Sequence, residues 1–150
     1  MSENVKAIGV MFGLVGGLVG TVLMDVAMMI IFVSVGERPD MFFAMVGEKV
    51  GGTAVLGLAI HNIIGASGGF VFSLIVLNIS ALELTSVGKG LKLGVAAGVI
   101  TIPLGCVPMA IWLGEPVMNV VAFSIVPHLV WGTVLGWIVA SGLLRFTTRS

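Results

Sequence analysis

The sequence predicts an all-α integral membrane protein, a four-helix bundle built from two repeated transmembrane hairpins. Three observations carry this. Charged residues are 9% of the 150-residue chain and mean hydropathy is +1.21, whereas an average soluble domain is roughly a quarter charged. The charges fall in clumps separated by long apolar stretches. A stripe of small residues also recurs in register between the two halves. A soluble domain this small would need a largely apolar surface. Soluble enzymes, disordered tails and secreted disulfide modules are therefore excluded. Seven basic residues balance seven acidic ones, so no nucleic-acid partner is expected, because that requires a basic footprint. Cys106 is the one cysteine, which allows neither an internal disulfide nor a thiolate cluster.

A bilayer core of ~30 Å needs about 20 apolar helical residues. Four segments qualify: 7–35, 54–82, 93–113 and 117–144. They form one membrane domain over 1–150, with hairpins 1–82 and 88–150. The first segment is too long for a signal peptide, and no small-x-small cleavage site follows it. An even number of spans puts both termini on one side. Lys6, Lys89, Lys92, Arg145 and Arg149 share that side, against Arg38 and Lys49 on the other. The positive-inside rule then places both termini in the cytoplasm of a cell-membrane protein.

Between the first two spans, apolar residues at 41, 42, 45 and 46 follow helical spacing. A short interfacial helix near 40–49 is expected, with the Asp40 carboxylate as its N-cap. Pro103 and Pro108 predict a kinked third span. Pro116 suits the start of the fourth, where its missing N–H costs nothing.

His61-x3-Gly65-x3-Gly69 recurs as His128-x3-Gly132-x3-Gly136. In the other two spans, Gly9-x3-Gly13-x3-Gly17 recurs as Gly90-x3-Gly94-x3-Gly98, which sets Cys106 at the place of Asp25. A pseudo-two-fold axis along the membrane normal follows, as in parallel repeats. Residues four apart share a helix face. Lipid tails are as apolar as leucine, so helices associate by close backbone contact, which such stripes permit. Trp131, Trp137, Phe70 and Phe72 are expected to face outward.

Asp25, His61, His128 and Cys106 all lie roughly 10–16 Å from the outer ends of their spans, at 1.5 Å per residue. Ionisable groups at that depth face the bundle interior. One reading is a structural clasp, in which Asp25 accepts from His61 or His128 with Thr21 assisting. The sharper reading is a metal or proton site at Asp25, His61 and His128, since two imidazoles and a carboxylate suit a divalent transition metal. Methionines in the outer half add soft thioether donors. Cys106 reads as a small, inert packing residue.

Gly65-Ala66-Ser67-Gly68 resembles the Gly-x-Ser-Gly motif of rhomboid intramembrane proteases, and His128 with its following glycines resembles their histidine helix. That resemblance implies a Ser67/His128 hydrolase, with His61 and Asn62 as oxyanion donors. The chain departs from it in having four spans instead of six. Ser67 also lies about 200° around its helix from Gly65. Over most of its length, the chain resembles a family of small uncharacterised four-span prokaryotic membrane proteins. The residues that carry this are Gly16-Gly17-Leu18-Val19-Gly20-Thr21-Val22-Leu23-Met24-Asp25, His61-x3-Gly65, and Pro127 to Gly136. That resemblance implies the duplicated four-span fold and no particular activity.

The function expected from these readings is a non-enzymatic membrane protein. It is either an accessory packing subunit of a larger complex, such as one handling redox metals, or a homo-oligomer. The alternative is a small transporter or conductor of ions, protons or metal lined by Asp25, His61 and His128. The expected partners are lipid and other transmembrane subunits or copies of itself. No cofactor is expected beyond the metal reading.

Overall fold

A computed structural model describes residues 3–147. Six α-helices follow in order: α1 (Glu3–Ser34), α2 (Met41–Lys49), α3 (Ala54–Asn78), α4 (Val87–Thr101), α5 (Val107–Leu113) and α6 (Val117–Thr147). Four spans, Glu3–Ser34, Ala54–Asn78, Val87–Leu113 and Val117–Phe146, are long and apolar enough to cross a membrane. The third span starts at Val87 instead of 93, because Ser86 caps α4 by accepting from the Lys89 N–H at 3.1 Å. The second stops at Asn78, and Ser80–Leu82 forms a separate 3₁₀ turn. Arg149, counted in the charge asymmetry, lies outside the described residues.

Pro103 lies within, and Pro108 just after, an irregular stretch of the third span. Ile102–Cys106 is a π turn joining α4 to α5, as happens where the ordinary hydrogen-bond ladder loses donors. α5 ends at Gly114, whose φ of +82° turns the chain so that the Glu115 N–H reaches back to the Ala110 carbonyl at 2.9 Å. That backbone conformation favours glycine.

Within each hairpin the antiparallel helices meet backbone to backbone. α1 meets α3 where Gly13 and Gly17 face Gly65, Gly69 and Ser73. α4 meets α6 where Gly90, Gly94 and Gly98 face His128, Gly132, Gly136 and Ala140. A methyl on Gly17 would stand 3.0 Å from the Gly69 Cα, and one on Gly94 2.8 Å from the Gly136 Cα. Gly9 differs, facing the side chains of Leu77 and Leu143.

These contacts pair Gly13 with Gly90 and Gly17 with Gly94 as equivalents. The glycine register expected for spans one and three is therefore wrong by one turn, although at the end of the π turn Cys106 still meets His128 as Asp25 meets His61. Glycines every four residues match themselves at any shift of four, so the sequence could not fix the register.

The hairpins join through α1 and α6, which run antiparallel with Gly16 against Leu135 and Ile138, Gly20 against Trp131, and Phe32 stacked on Phe123. No comparable contact joins α3 to α4 among the described residues. The expected two-fold axis would map one junction onto the other, so the contacts do not realise it. Trp131, expected to face outward, is 4% exposed, and its Nε1 donates to the Gly17 carbonyl at 3.2 Å. Phe72 is buried with it, while Phe70 and Trp137 are exposed as expected. The glycine gaps leave room at the helix junctions that large rings fill.

Candidate functional site

α1 carries Asp25 at 4% exposure. His61 Nδ1 lies 2.6 Å from Asp25 Oδ1, and the Asn62 amide donates to Oδ2 at 2.8 Å. A carboxylate accepts, so Nδ1 carries the proton that is shared. Short contacts to an ionised oxygen are among the stronger hydrogen bonds. Gly65 lies one turn beyond His61, and its missing side chain lets α3 approach α1 at Thr21. That approach brings His61 and Asn62 within reach of Asp25.

The interfacial helix α2 completes this side. Phe42 meets the His61 ring edge to face, with centroids 5.3 Å apart, and Phe43 lies at 5.9 Å. α2 is thus a lid on His61 as well as a surface helix, with Phe43 and Val46 buried beneath it. Asp40 sits at its N-cap but makes no side-chain cap. Its carboxylate is held instead by the Arg38 guanidinium at 2.8 and 3.1 Å, a charge-assisted bidentate pair that outcompetes a lone backbone N–H.

His128 does not join Asp25. Its Nδ1 donates to the Ser124 carbonyl one turn back at 2.8 Å, and its Nε2 lies 3.8 Å from Cys106 Sγ. The expected Asp25/His61/His128 metal shell is therefore not formed. His128 extends from α6 toward the π turn of the other hairpin half, whereas Asp25 is held by His61 and Asn62 of α3. Thr21 does not assist Asp25 either. It donates to the Gly17 carbonyl of its own helix at 2.7 Å, the usual outlet for a threonine within a helix. Among the described residues, no three His, Cys, Asp or Glu side chains come together as a metal-ligand set. The Ser67/His128 pairing is not formed. Ser67 is exposed and donates to the Ile63 carbonyl at 2.8 Å.

His61, His128 and Cys106 line one cavity of about 460 Å³ between the hairpins, with Asp25 buried behind His61 and outside the lining. Met24, Met28 and Met109 contribute thioethers. Glu37, Glu115 and Asn119, at the end of the bundle that holds α2, also line it. Toward the terminal face, the fully buried Leu135 and Val139 fill the bundle, so the space is a cup. Two roles escape sequence reasoning. Asn62, read as an oxyanion donor, instead donates to Asp25. The pairing of Cys106 with His128 was hidden by the π turn. Comparison with protein-family models, curated proteins and solved structures finds no match.

Proposed function

We propose that the chain is a non-enzymatic multi-pass membrane protein that takes a small cationic guest into the cup between its hairpins. One observation carries this reading: the 460 Å³ cavity is lined by two carboxylates, Glu37 and Glu115, together with imidazole, thiol and thioether donors. Its size falls within the range of ligand sites. Acidic groups lining a cleft raise the local concentration of cations. With the termini in the cytoplasm, as the basic residues favour, the acidic end of the cup lies outward. Of the two classes expected from the sequence, this geometry favours the transporter over the pure packing subunit. The glycine contacts, read as a duplicated packing device, supply the rigid walls. The same cup serves the chain alone or within a larger complex.

Thiol accessibility tests this reading. In a Cys106→Ser background, Met28→Cys places a thiol on the cavity wall, and Ile30→Cys places one on the lipid side, where Ile30 is 64% exposed. A small water-soluble methanethiosulfonate added outside intact cells should label the Met28→Cys variant and not the Ile30→Cys variant. No labelling of the first, or equal labelling of both, contradicts an aqueous cup.

A further inference from the structure

We propose that Cys106, His128 and Met109 form a binding site for one soft monovalent d10 metal ion, of the Ag(I) or Cu(I) class. This rests on the reading of the cup as a cation site and names its cargo. The first support is the state of His128. A carbonyl only accepts, so Nδ1, 2.8 Å from the Ser124 carbonyl, bears the ring proton. Nε2 is then the lone-pair nitrogen and faces Cys106 Sγ at 3.8 Å. An imidazole whose second N–H is fixed by a backbone carbonyl is oriented as metal-bound histidines are.

The second support is the separation. Cys106 Sγ and His128 Nε2 lie 3.8 Å apart, a separation that one ion bonded to both atoms can bridge.

The third support is the donor set. Among the described residues no third His, Cys, Asp or Glu joins the pair. Met109 follows Cys106 by three residues, so it shares that helix face, and it lines the same cavity. Thioether and thiolate select soft ions, whereas zinc and the hard cations take harder sets.

Binding exchanges the thiol proton for the metal: the S–H bond breaks, the metal–sulfur bond forms, and the proton leaves to water. A monovalent ion on one thiolate is neutral overall. That suits a site at membrane depth, where net charge is costly.

The test uses the full chain in mild detergent without chloride, titrated with Ag(I) against a competing thiol ligand and read by native mass spectrometry. One Ag(I) per chain should be retained. Cys106→Ser should abolish retention, and His128→Leu and Met109→Leu should each weaken it at least tenfold, while lipid-facing Met11→Leu should not. Failure of wild type to retain silver overturns the site, as does wild-type affinity in either the His128 or the Met109 variant. Wild-type protein gives a second readout that needs no folded variant: one equivalent of Ag(I) should block alkylation of Cys106 by N-ethylmaleimide and raise the unfolding temperature. Full alkylation at that ratio overturns the proposal. If the Met28→Cys variant is labelled from outside and wild type does not retain silver, the metal assignment fails and the cup remains. If the Met28→Cys variant is not labelled, the cup itself fails.

Discussion

Gly94→Ala adds one methyl where α4 crosses α6. That methyl would lie 2.8 Å from both the Cα and the N of Gly136, and closer still to the Gly132 carbonyl oxygen. All three are backbone atoms, so no rotamer change relieves the overlap. Carbon atoms pack at roughly 3.5–4.0 Å, so the helices must part by about 1 Å at the crossing. A gap of ~0.5–1 Å forfeits a quarter to a half of each contact, and several tens of pairs at about 0.1–0.2 kcal/mol each lose ~1–3 kcal/mol. Overpacked cores show the same range. In lipid, no hydrophobic force pushes the helices back together. Thermal unfolding in mild detergent reads the effect, and about 2–4 °C per kcal/mol gives a fall of ~2–12 °C. Gly105→Ala is the control. It meets nothing within 4 Å, and alanine is favoured over glycine in a helix by roughly 0.5–1 kcal/mol, so its unfolding temperature should hold or rise. Equal unfolding temperatures for the two variants would refute the reasoning.

Other substitutions separate the remaining contacts. Gly132→Leu and Gly65→Leu should disrupt folding, whereas Val71→Leu, at a 51% exposed position, should leave detergent stability unchanged. Asp25→Ala leaves His61 without its acceptor, while Asn62 keeps the Leu58 carbonyl, and should cost ~3–5 kcal/mol; adding His61→Leu should cost less than the sum, as a double-mutant cycle in the same unfolding assay would show. Ser86→Ala removes a formed cap and should cost about 0.5–2 kcal/mol, while Asp40→Ala removes only an exposed pair with Arg38 and should cost under ~1 kcal/mol. Trp131→Phe deletes the bond to the Gly17 carbonyl and should lower stability by about 1 kcal/mol.

The spans, the short outer helix and the small-residue contacts were legible because length, hydropathy and spacing follow directly from helix geometry. Depth was legible too. The 1.5 Å rise put Asp25 and His61 at one level, and they meet. Azimuth was not legible. His128 shares that depth yet turns to Cys106, and the π turn at Ile102–Cys106 rotates everything after it by a residue that the sequence does not announce. Trp131 looked lipid-facing because its size suits lipid, but the neighbouring glycines Gly20 and Gly68 make the slot it fills. The cup was invisible because it lies between hairpins. Its existence depends on α1 meeting α6, a contact between residues more than a hundred positions apart.

That contact is the most direct test. A Cβ built on Gly16 lies 3.3 Å from the Cβ of Ile138, close to the ~3.5–4.5 Å that a disulfide spans. In a Cys106→Ser background, Gly16→Cys with Ile138→Cys should form an intramolecular disulfide in native membranes under mild oxidation. Val15→Cys with Ile138→Cys should not, since Val15 faces lipid. Cross-linking of the Val15 pair, or none of the Gly16 pair, would contradict a cup walled by two hairpins joined through α1 and α6.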